Sequence, residues 1–213
     1  MKLNLYNRID SLIDILKDMR NYMLPIKKIT KYFKSIDSIE QLQSFIQERS
    51  AHVTQTTLYG YIKTRIGSRY AMMFEDEVFL KSINIAKWNI YLSALTDCTL
   101  YTFSYLIDQK NLKKNNAEEI FHSILRSEIE NGLEIKLLEN AKINFKVRLK
   151  NLNWKTYHQD KPFYHSGNAL YKWSPIADEL KLLDKEIVLN SIKLKWNLVE
   201  NDFKNLTKDL KFS

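Results

Sequence analysis

From Val78 to Ile107 the chain reads VFLKSINIAKWNIYLSALTDCTLYTFSYLI, thirty positions with no Gly, no Pro and three charges, Lys81, Lys87 and Asp97. A segment without breakers and apolar on most sides predicts one buried helix, roughly 45 Å long at 1.5 Å per residue. Before it, Ile39, Leu42, Ile46, Val53, Leu58, Ile62 and Ile66 recur at helical spacing from a capping box at Ser38 and Gln41 to Gly67. Gly60 falls inside this helix, where a glycine predicts close approach of a neighbouring backbone. Glu75, Asp76 and Glu77 stand where carboxylates favour the positive end of the following helix.

The same periodicity predicts helices over Leu5–Met23 (Leu12, Ile15, Leu16 and Met19 in phase) and Ile26–Phe33. It continues over Ala117–Asn131, with Gly132 as a stop, and Leu133–Leu152, where the alternation Ile143, Phe145, Val147, Leu149 also admits a short strand. Ser166 caps a short helix. Pro175 in a first helical turn starts the last long one, running to Leu206 with Ile176, Leu180, Leu183, Ile187 and Leu194 facing inward. The expected architecture is all-α: a bundle of six or seven helices in one domain, 1–213. Residues 1–37 supply N-terminal helices, 38–107 a long antiparallel helix hairpin, and 108–213 helices packed on it. Four Gly and three Pro in 213 residues are too few turn residues for a sheet protein.

Asp97 decides two questions. In the window Trp88–Ile107 it would cost about 2.5–3.5 kcal/mol at a bilayer centre, which predicts a core helix and no membrane span. A buried carboxylate also needs a partner. Counting back from the turn of an antiparallel hairpin places Gln47 to Arg49 opposite it, with His52 one turn away. Asp97 is therefore expected to pair with Arg49 or His52, either locking helix register or lining a polar pocket.

The single Cys98 allows no internal disulfide, and Asp10, Asp14 and Asp18 break the N-terminal apolar pattern. Both suit a cytoplasmic protein. The net charge of +8 invites an anionic partner, although 26 of the 33 basic residues are Lys, as an AT-rich coding sequence would also produce. Lys63, Arg65 and Arg69, with no acid between Glu48 and Glu75, form a candidate surface for an anion or protein partner. From Ala141 to Gln159, Lys142, Lys146, Arg148, Lys150 and Lys155 interleave with Phe145, Trp154 and Tyr157, as single-stranded nucleic acid would require.

No metal site or cofactor is expected. Glu119 and His122 give one Glu-x-x-His step where di-iron bundles need two, and His158 and His165 are spaced too widely for a short pair. There is no G-x-S-x-G elbow or glycine-rich phosphate loop, and Asp97 beside Cys98 blunts the thiol.

The stretches TQTTLYGYIKTRIGSRYAMMFEDEVFLKSINIAKW, SALTDCTLY and WSPIADELKLLDKEIVLNSIKLKW resemble a family of helical proteins from alphaproteobacteria, over roughly residues 38–197. The Lys- and Asn-rich composition looks like a rickettsial member. The resemblance implies a helical cytoplasmic protein, and some members carry an esterase label. The leading functional expectation is a non-catalytic interaction or accessory protein that binds a protein partner or itself. A small hydrolase with a pocket near Asp97 and an RNA-binding protein using the 142–155 stretch are the alternatives.

Overall fold

The computed structural model describes residues 34–67, 70, 72–113 and 116–210. The helices expected over 5–23 and 26–33 lie outside the described residues, as does Arg69. The described part is all-α, with six α-helices and no strand among the described residues: α1 (Ile39–Ile66), α2 (Glu77–Lys110), α3 (Ala117–Ile129), α4 (Ile135–Lys150), α5 (Tyr164–Trp173) and α6 (Asp178–Leu206). The 143–149 alternation is thus helical. No described helix is long and apolar enough to cross a membrane.

Local chemistry sets both ends of α1 and the start of α2. At α1 the Ser38 Oγ accepts from Gln41 N–H at 3.2 Å, while the Gln41 side chain accepts from Asp37 N–H at 2.8 Å. Gly67, at φ +64°, ends the helix in a conformation that side chains avoid. Asp76 caps α2 by accepting from Val78 and Phe79 N–H at 2.8 and 3.2 Å, so the acidic trio contains a true cap. Gly60 differs from expectation: it is exposed, and a Cβ there would meet nothing within 4 Å. Residue 166 is also no cap, since α5 already begins at Tyr164.

With 34 residues, α2 is about 51 Å long. It is wrapped by neighbours, chiefly α1 and α5. Trp88, Tyr91, Tyr101 and Phe103 fill the core along it. Its threonines do not waste their hydroxyls: Thr96, Thr99 and Thr102 donate to the carbonyls of Leu92, Leu95 and Thr99 at 2.7–3.0 Å.

The last helix starts three residues beyond Pro175 and faces the other way from the expected phase. Val188, Ile192, Trp196, Val199 and Phe203 are buried, whereas Leu180, Leu183, Ile187 and Leu194 are exposed. Both sets recur at helical spacing, so period alone could not choose between them. Rings and two carboxylates decide it. Trp196 stacks on Phe163 with centroids 4.1 Å apart, and Phe203 meets Phe45 at 5.2 Å. Asp184, buried, receives Arg65 in a bidentate grip and Tyr61 Oη at 2.9 Å, and Arg49 holds Asp202 at 2.6 Å.

The Arg65 clamp therefore ties α1 to α6. Arg65→Ala should cost about 2–3 kcal/mol in urea unfolding, below the 3–5 of a fully enclosed pair because Arg65 keeps 31% of its side chain exposed. Tyr61→Phe should cost about 1 kcal/mol, and exposed Lys63→Ala under about 0.5 kcal/mol.

Candidate functional site

Asp97 is fully buried, but neither expected residue is its partner. Arg148 of α4 places Nη1 2.7 Å from Oδ1, and the Ser166 N–H in the first turn of α5 donates to Oδ2 at 2.7 Å. The reason is angular. Ser50 donates to the Ala94 carbonyl at 3.4 Å and lies against Cys98, so α2 turns Ala94 and Cys98 towards α1. Asp97, one residue and about 100° from Cys98, looks away to α4 and α5. Arg49 is spent on Asp202. Burial lowers the His52 pKa, with the charges of Arg49 and Lys195 adding to the effect. Burial raises the Asp97 carboxyl, while Arg148 and the Ser166 N–H pull it back down.

The same arginine faces a cleft between α2 and α4 of about 490 Å³. Two polar stripes border it, each at helical spacing: Asn89, Ser93 and Thr96 on α2, and Asn140, Asn144 and Arg148 on α4. His165 of α5 closes one end, and Leu92, Leu137, Ile143 and Val147 supply the apolar wall. No Asp or Glu lines this cleft. Val147, Arg148 and His165 also line a second cleft of about 420 Å³ against Asn151, Thr156, Tyr157 and Asp160. Arg148 is held rigidly for the purpose, because its other Nη donates to Tyr157 Oη, which itself donates to the Pro162 carbonyl at 2.8 Å. Burial keeps His165 below the ordinary imidazole range, helped by the Arg148 charge.

The other candidates are distributed as follows. Lys63 is exposed, while Arg65 is committed to Asp184 and so is not a free anion grip. In the 142–155 stretch, Lys142 pairs with Glu139 at 2.8 Å and Lys146 lies 3.5 Å from Glu118. Phe145 is buried and stacked on Phe121, Trp154 packs on the core and Tyr157 is tied to Arg148, leaving their ring faces engaged. Lys150 and Lys155 are exposed. Among the described residues no group of three or more His, Cys, Asp or Glu gathers as a metal ion would require.

One constellation escaped the sequence reading. Ser104 Oγ lies 3.2 Å from His158 Nδ1, and His158 Nε2 lies 3.6 Å from Asp108. The set has the membership of a hydrolytic triad, but its proton runs the wrong way. Ser104 is fully buried, donates its hydroxyl proton to the Trp154 carbonyl at 2.7 Å and accepts the His158 backbone N–H at 3.0 Å. With that proton committed, Nδ1 must donate to Oγ, and the Gln159 amide, 3.2 Å from Nε2, supplies the donor for the bare nitrogen. The cluster fastens the loop to α2. A second network surrounds buried Glu128, which accepts from Gln47 Nε2, Tyr91 Oη and Asn131 Nδ2 at 2.6–2.7 Å. Nearby Lys87 is pushed down to about 8 by burial, against the pull of Glu128.

Comparison with family models, curated proteins and solved structures gives no match. The fold and the cleft therefore carry the functional reading. The cleft's signal was present in the sequence as Asn-x3-Ser-x2-Thr on α2 and Asn-x3-Asn-x3-Arg on α4, two polar stripes on helices that are otherwise apolar on that side.

Arg148→Met should strand a buried carboxylate and cost about 3–5 kcal/mol, much of it restored by adding Asp97→Asn. Without Arg148 the Asp97 carboxyl rises further, so the native state binds a proton that the unfolded chain does not. The loss should therefore shrink between about pH 8 and about pH 5 when measured by denaturant melts. His158 has the opposite sign. Burial depresses its folded pKa, so its contribution is present above the ordinary imidazole pKa and is lost as pH falls through the folded value. The Tm gap between wild type and His158→Asn should narrow between about pH 7.5 and about pH 5.5.

Proposed function

We propose that the protein is a non-catalytic helical interaction protein, and that the α2–α4 cleft takes an extended segment of a protein partner. The carrying observation is the cleft's lining: amide side chains on both walls, Arg148 and His165 at one end, and no carboxylate. Asparagine amides both donate and accept, which suits the alternating N–H and C=O of an extended chain. Asn89 to Thr96 spans about 10 Å of helix, the length of about three extended residues, and the apolar wall takes alternate side chains. Exposed Ile143 and Val147 at the rim add apolar surface to this binding face.

Three observations favour binding over hydrolysis. Ser104 has committed its proton, Cys98 is buried with its thiol pushed up to about 12, and Asp97 is enclosed by its own partners. RNA binding through 142–155 is less favoured because its aromatic rings are engaged within the protein. A buried free thiol suits a reducing compartment, and we infer a cytoplasmic setting. Kinship with alphaproteobacterial helical proteins is part of the same proposal and rests on the three stretches quoted above.

Asn144→Asp introduces a carboxylate into the cleft with little change of shape. Recovery of a stoichiometric partner from native cells should fall about tenfold, equivalent to about 1.4 kcal/mol, with Tm unchanged. Equal recovery by this variant moves the contact elsewhere, recovery abolished by ribonuclease favours RNA, and ester turnover lost in Ser104→Ala favours the hydrolase.

A further inference from the structure

The solvent side of α6 carries an apolar row that the described part of the fold leaves uncovered. Leu183, Ile187, Leu194 and Leu198 are 76, 69, 65 and 64% exposed, and Leu180 begins the row at 41%. At 100° per residue these positions keep to one side of the helix for about 27 Å. That side is opposite Val188, Ile192 and Trp196, which face the core. Single exposed leucines are ordinary on a protein surface, but a continuous row marks a contact. Asp184 and Asp202 tie the helix to α1, so the row is presented by an element held in place.

The charges beside this row identify what covers it. Glu186 and Lys193 are two helical turns apart, so both stand on the same flank of the row, and both are exposed. Neither has an ion-pair partner among the described residues. Two copies of α6 packed antiparallel, about a two-fold axis at the level of Leu189, bring that same flank of each helix together. Glu186 of one copy then stands beside Lys193 of the other, and the symmetry makes the pair twice. Leu183 meets Leu194 of the second copy, and Ile187 lies next to the axis against Asn190, a polar seam position that favours one alignment. A parallel pair leaves both charges idle, because positions 186 and 193 would face Ser191 and Leu198 across the seam.

We propose that the protein forms a two-fold symmetric dimer through the outer face of α6, with the two helices antiparallel and Glu186 paired with Lys193 of the second copy on both sides of the axis. Covering the row on each copy hides on the order of 1,000 Å² in total, the lower end for a specific association, so the dimer is reversible. No residue of α6 lines the α2–α4 cleft, so this inference is independent of the cleft, and the dimer carries two copies of it.

The test is sedimentation equilibrium of the full chain from low micromolar to sub-millimolar concentration. The wild type should show a concentration-dependent dimer. Glu186→Lys and Lys193→Glu should each weaken it at least about tenfold, because like charges then meet twice. An equimolar mixture of the two variants should recover wild-type association, since every pair formed between them is again of opposite sign. A wild type that stays monomeric throughout would overturn the proposal. So would a dimer indifferent to both charge reversals, or a mixture that associates no better than its separate components. A second variant tests the apolar row itself. Ile187→Asp, at an exposed position, should abolish the dimer while leaving the helical circular dichroism unchanged. A dimer that persists in this variant would place the contact on another face and overturn the proposal.

Discussion

A carboxylate buried in the middle of the longest helix must be answered by the rest of the chain. Asp97 is answered from two directions, by the Arg148 guanidinium of α4 and by the Ser166 N–H at the start of α5. An unanswered charge there would cost several kcal/mol, so neither helix can shift without exposing that cost. The backbone donor matters as much as the guanidinium. The first turn of α5 has N–H groups with no helical acceptor, and one of them is spent on Asp97. Arg148 is fixed by Asp97 on one side and Tyr157 on the other, so the end of the cleft that it forms does not wander.

The same device recurs with different partners. Glu128 gathers Gln47, Tyr91 and Asn131, joining α3 to α1 and α2, and Asp184 gathers Arg65 and Tyr61, joining α6 to α1. Apolar packing alone would tolerate a helix sliding by a turn, because Leu and Ile surfaces are largely interchangeable. Each buried acid accepts from side chains at fixed positions and removes that freedom. We read the three nodes as the register marks of the fold, with ring stacking such as Phe163 on Trp196 filling the space between them.

Local chemistry made several features legible in the sequence. The Ser38 cap, the cap within the acidic trio, the Gly67 stop and the unbroken run of α2 all follow from signals within a few residues of each other, and the all-α class follows from them. What was not legible depends on which way a helix is turned. Asp97 was expected to meet α1 because the count along two helices ignores rotation; its neighbour Cys98 faces Ser50 instead. The apolar phase of α6 failed for the same reason, since two stripes about 140° apart both have helical spacing. The cleft is a related case: its two polar stripes are visible in the sequence, but only packing shows that they face one another.

Residue identity is an equally poor guide to chemistry when protons are ignored. Ser104, His158 and Asp108 have the composition of a hydrolytic set, and their distances alone would encourage that reading. A nucleophilic serine must give its proton to the imidazole, so the imidazole nitrogen beside it has to be an acceptor. Here the Trp154 carbonyl already takes the hydroxyl proton, and the His158 N–H occupies an oxygen lone pair. The remaining lone pair of Ser104 needs a donor, which Nδ1 provides. The Ser104 hydroxyl is thus used to hold the 154–158 loop on α2. The amides of the α2–α4 cleft differ in kind: Asn140 and Asn144 line open space, on the wall that Arg148 completes. Side chains satisfied within the fold stabilise it, whereas those left facing a cleft are the ones available to a partner.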